Sequence, residues 1–127
     1  METQEELKKL KIGNEEKVAL KPAIVKVLKT EIVEVDIKGK KNQKVSCEVR
    51  HPDTAEPIHI SAVKIETKGK LLVGGLWLNL DSKGLIRKGT ALAVLLNNQK
   101  AETIEELEGK EIPTILDDRN FLCFKAY

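Results

Sequence analysis

The chain is 127 residues long, with 41% hydrophobic and 33% charged residues and a formal net charge of +2. That length suits one domain with its own core. The near-balanced charge excludes a strongly basic surface, so any nucleic-acid binding must rest on local clusters. No apolar run reaches the length of a membrane span. The polar, acidic start Met1-Glu2-Thr3-Gln4-Glu5-Glu6 does not read as a signal peptide, and the expected compartment is the cytoplasm.

Residues 1–21 read as an N-terminal extension, partly helical or mobile. Leu7 and Leu10 sit three apart, as on one helix face, and Gly13-Asn14 then interrupts the pattern. Pro22 stops any helix before the first strand. Residues 22–127 read as one domain.

Ile24 to Ile37 is rich in Val and Ile and reads as a long strand. Its apolar parity changes from Leu28 and Ile32 to Val33, Val35 and Ile37, which predicts a bulge or bend. Lys38-Gly39-Lys40-Lys41-Asn42 reads as a turn with positive φ at Gly39. In Gln43–Arg50, Val45, Cys47 and Val49 alternate with Lys44, Ser46 and Glu48, completing a hairpin. His51 to Pro57 is a loop. Ile58–Glu66 predicts a third strand, bulged near Ala62.

Thr67-Lys68-Gly69-Lys70 predicts a second tight turn, followed by a strand through Leu71–Leu80. Gly74-Gly75 implies a bend or a close backbone approach there. Thr90 is placed as an N-cap, with Leu92, Leu95 and Leu96 as one apolar helical stripe. Thr103-Ile104-Glu105-Glu106 fits a capping box, and Gly109 a helix-ending residue. Lys110–Leu116 carries Pro113 and is expected as an edge or bulged strand. Asp117-Asp118-Arg119-Asn120 is a polar turn before a last strand, Phe121–Tyr127.

The expected fold is mainly β: an OB-fold-like, five- to six-stranded Greek-key barrel whose short helical insert, before the last two strands, plugs one end. The run Lys88-Gly89-Thr90-Ala91-Leu92-Ala93-Val94-Leu95-Leu96, then Ile104-Glu105-Glu106-Leu107-Glu108-Gly109-Lys110-Glu111-Ile112, resembles the insert of small phage and archaeal OB-fold proteins of the single-stranded-DNA-binding type. That resemblance implies a partner, single-stranded DNA or RNA.

The candidate contacts are the basic turns Lys38, Lys40, Lys41 and Lys44, then Lys68 and Lys70, then Arg87 and Lys88, with Trp77 as a stacking platform. The bland alternative is solvated lysines and a core tryptophan. Cys47 and Cys123 read as free buried thiols, since no paired Cys/His spacing suggests zinc. His51, Asp53, Glu56 and His59 match no ligand pattern and read as surface loop. No phosphate loop or catalytic triad stands out. The expectation is therefore a binding module, with no enzyme activity, no cofactor and no metal. The competing reading is a protein-interaction module or homodimer, assembled through the Pro113 strand or the C-terminal strand as an exposed edge.

Overall fold

The computed structural model describes residues 4–12 and 20–127. After a short helix α1 (Gln4–Lys8) come β1 (Ile24–Ile37), β2 (Lys40–Arg50), β3 (Ile58–Ile60), β4 (Ala62–Thr67) and β5 (Lys70–Gly75). Helix α2 (Ala91–Asn98), a 3-10 turn at Glu105–Leu107, β6 (Glu111–Leu116) and β7 (Leu122–Ala126) complete the chain. The expectation at Gly13-Asn14 lies outside the described residues. No helix among those described is long and apolar enough to cross a membrane.

The strands form one mixed seven-stranded sheet in the order β3-β2-β1-β6-β7-β4-β5. All pairs are antiparallel except β4 with β7. Seven strands replace the expected five or six. The stretch read as one strand, Ile58–Glu66, divides at Ser61. The stretch Leu71–Leu80 ends as a ladder at Gly75.

β1 carries a bulge, but at Leu28 rather than at the Ile32–Val33 change of apolar parity, across which the register is regular. Val27 faces Val49 but Lys29 faces Glu48, so Leu28 is the extra residue of a bulge. Val25 and Val27 are buried before it. After it Thr30 and Ile32 share a face with the buried Cys47 and Val45. One inserted residue thus brings the even-numbered face of β1 beside the buried residues of β2, although Ile32 itself stays 45% exposed.

The β1–β2 and β4–β5 hairpins each close on a Lys-Gly pair with positive φ at both positions: 50° and 80° at Lys38-Gly39, 50° and 76° at Lys68-Gly69. These are type I′ turns, whose twist matches that of the strands. Lysine is a poor occupant of the left-handed region, because it lacks the short polar group that helps Asn and Asp there. Lys38→Asn is therefore expected to stabilise the fold by a few tenths of a kcal/mol. Gly39→Ala is expected to cost about 1 kcal/mol. Urea unfolding midpoints of the two variants should move in opposite directions.

Pro113 is not on an edge. β6 lies between β1 and β7, and β7 between β6 and β4, so neither strand offers the open edge expected of it. The proline is tolerated because the β7 ladder begins only at Thr114, while toward β1 the neighbouring Thr114 N–H bonds Ala23 O at 3.1 Å. The Thr114 hydroxyl completes this seam, donating to Ala23 O at 2.6 Å and accepting from Ala23 N–H at 2.9 Å.

The core joins Val25, Val45, Val63, Leu76, Ile112 and Phe124 to the buried face of α2, Leu92, Leu95 and Leu96. Thr90 caps that helix, its hydroxyl accepting from Ala93 N–H at 3.2 Å. The reciprocal bonds of Thr103 and Glu106, 3.0 and 3.3 Å, form the expected capping box. Glu108 then ties this region to β1, accepting from the Thr30 N–H and hydroxyl, both at 2.9 Å. Those bonds hold its carboxyl below the usual carboxylate range.

His51 is not a surface residue as expected. It is 1% exposed. Its Nδ1 accepts from Asp53 N–H at 3.0 Å, leaving Nε2–H to donate to Lys21 O at 2.8 Å. The ring staples the entry to β1 onto the end of β2.

Candidate nucleic-acid interface

Alternation along β2 fixes which side chains share a surface. Val45, Cys47 and Val49 are buried, so Lys40, Asn42, Lys44, Ser46 and Glu48 face outward. Register puts Ile37, Val35, Val33, Glu31 and Lys29 of β1 beside them, in that order. His59 of β3 joins the same face opposite Glu48. From the hairpin tip to Lys44 this face carries lysines, an amide and an apolar row, with no carboxylate.

Trp77 is brought onto this face by the chain beyond β5. Leu76 N–H donates to Ser61 O at 2.9 Å, Val45 N–H to Leu76 O at 2.8 Å and Leu78 N–H to Gln43 O at 2.9 Å. Trp77 therefore forms a bridge opposite Lys44. The Lys44 ammonium sits 4.8 Å from the indole centroid, a cation–π contact. Gly75 makes room: a Cβ there would lie 2.7 Å from Trp77 Nε1 and 3.1 Å from Lys44 Cε. The half-buried indole is thus held by a glycine behind it and a lysine over it.

The other predicted residues divide. Lys38 occupies the hairpin tip. Arg87 stays near Trp77, its N–H bonded to Asn79 O at 2.8 Å and its guanidinium to Leu80 O at 3.0 Å. Lys41 faces the other way, beside Asp36 in register and 3.9 Å from Glu34. Lys68 and Lys70 belong to the β4–β5 turn, at the other end of β5 from Trp77. Lys88 lines a separate cleft against α2, with Ala93, Leu96 and Ile104.

Sequence reasoning missed a second feature. A cleft of about 640 Å³ opens between the β3–β4 junction and the β6–β7 turn, bordered by His59, Ser61, Arg119, Asn120 and Phe121. Asp117 builds that turn: its Oδ1 accepts from Arg119 N–H at 2.8 Å and Phe121 N–H at 2.9 Å. Its own N–H donates to Phe121 O at 2.8 Å. Phe121 belongs to the turn rather than to β7, and is 56% exposed. The aspartate turn was visible in sequence; its approach to β3 depends on a non-local pairing and was not. Four β2 residues, about 13 Å, separate Lys44 from Glu48, the partner of His59. His59 joins this cleft to the outward face of β2, with Glu48 and the Lys29–Glu31 pair (3.0 Å) between it and Lys44.

Burial, with the Glu108 charge adding to it, pushes the Cys47 thiol up to about 12. Burial likewise raises Cys123 to about 11. Both are thiols at neutral pH and poor nucleophiles. Among the described residues no three of His, Cys, Asp and Glu are grouped to hold a metal ion. Comparison with protein-family models, curated proteins and solved structures finds no match to this chain.

Proposed function

We propose that the sheet closes into an OB-type barrel, and that the outward face of β1 and β2 binds single-stranded nucleic acid without base-specific readout. The order of pairings supports the barrel. Only Ser61 separates β3 from β4, so residues 58–67 act as one bent strand. Its first part pairs with β2 and its second with β7, in parallel. The circuit then runs β1, β2, β3–β4, β7, β6 and back to β1. One bent strand and one added strand, β5, account for seven strands on a five-strand Greek-key plan with α2 inserted before the last two.

The observation that carries the ligand reading is the Trp77–Lys44 pair on a carboxylate-free stretch of that face. A base stacks on the indole once the Lys44 ammonium swings from the ring to a neighbouring phosphate, and stacking with backbone neutralisation tolerates any sequence. The cleft bordered by Arg119 and Phe121 offers the same chemistry to a neighbouring nucleotide.

Anisotropy of a labelled single strand tests this. Neutralising three phosphates, by Lys40, Lys44 and Arg87, predicts a slope of about −2 in log K against log salt. That is roughly a 20-fold loss between about 50 and 200 mM. Lys44→Ala should flatten the slope by about 0.7, while Lys68→Ala, at the far turn, should leave it unchanged. No binding at low salt would refute the reading.

A further inference from the structure

The two outer strands in the pairing order are guarded differently. β3 is three residues long and follows Pro57, two of the usual devices that blunt an edge. β5 pairs with β4 alone. Leu71, Leu72 and Val73 in its middle are 50%, 43% and 38% exposed. No charge, proline or bulge interrupts it from Leu71 to Gly75, and its register with β4 is unbroken. Such an edge is a template for another strand.

We propose that β5 pairs antiparallel with β5 of a second copy of this chain, about a two-fold axis at Leu72. Facing residues of an antiparallel pair lie on the same side of the sheet, so only registers joining residues of equal parity are open. Centred on Leu72, the pairing sets Leu72 against Leu72, Leu71 against Val73, and Lys70 against Gly74 of the second copy. The one charge on the strand then meets a residue without a side chain.

Sliding toward Leu71 sets Lys70 against Leu72. Sliding toward Val73 sets Leu71 and Leu72 against the two glycines, losing their apolar contacts. Charge also favours the central register. Glu66 and Lys64 flank Leu71 and Val73 on β4, so each outward row runs Glu66, Leu71, then Val73 and Lys64 of the second copy, with opposite signs at its ends. Only three apolar side chains per copy are covered, so the dimer depends on concentration rather than being obligate. It does not depend on the nucleic-acid reading.

Sedimentation of the whole chain from micromolar to hundreds of micromolar is the test. The mass should climb from 14.2 kDa toward twice that value. Leu72→Lys should remain a monomer throughout with an unchanged circular dichroism spectrum. Leu72→Cys should form a reducible dimer under mild oxidation, since directly opposed Cα atoms lie within disulfide reach. Leu85→Cys, also exposed, should not. A monomer at every concentration would overturn the proposal. So would a dimer indifferent to Leu72→Lys and uncrosslinked at Leu72, or an edge that takes only a foreign peptide.

Discussion

Leu92→Ala is expected to lower stability by about 3–4 kcal/mol. An eight-residue helix is marginal alone, so this one exists because its apolar face is covered. Leu92, Leu95 and Leu96 are that face, and the helix packs on β4, β5 and β7. Leu92 is fully buried, and its removal leaves a void that the hydrogen-bonded strands beneath the helix cannot readily collapse to fill. For a domain of this size the melting midpoint should fall by roughly 12–15 °C. Val94→Ala, at a half-buried position of the same helix, should cost about 1 kcal/mol. Comparable small shifts in both would mean that the helix does not seal the core.

Gly74→Val should cost about 2–3 kcal/mol for the opposite reason, overpacking. A Cβ at Gly74 would come within 2.9 Å of the Ala91 Cβ. Ala91 opens α2, so relief requires the helix or β5 to move. Ala91→Gly removes the opposing methyl and should restore most of the loss, with a coupling of at least about 1 kcal/mol in the double-mutant cycle. Gly39 differs: nothing lies within 4 Å of its added Cβ, so its cost is backbone strain alone and no partner change can rescue it. Additive Gly74 and Ala91 effects would show that α2 does not press on β5.

What the sequence revealed follows how local each cause is. Thr90, the Thr103–Glu106 box and Gly109 were legible because capping is decided within a few residues. A bulge in β1 was expected from the apolar switch at Ile32–Val33, but the ladder is regular there; the bulge sits at Leu28, which only the β2 register shows. Parity alone also separates Lys41 from Lys40 and Lys44; counting the lysines together as one basic turn hid this. Lys38 and Lys68 at positive φ escaped notice because only Gly, Asn and Asp advertise that conformation. Pro113 in an interior strand, the buried His51 and the cleft at Phe121 depend on partners 30 or more residues away, which no local pattern encodes.

Because Trp77 is the single tryptophan, its emission reports directly on the proposed interface. Titration with an unlabelled single-stranded oligonucleotide at low salt should quench it to saturation. Added salt should reverse the quenching, and Lys44→Ala should weaken it several-fold. Unchanged Trp77 emission while the protein demonstrably binds the strand would put the ligand on another face, and unchanged emission without binding would remove the ligand altogether.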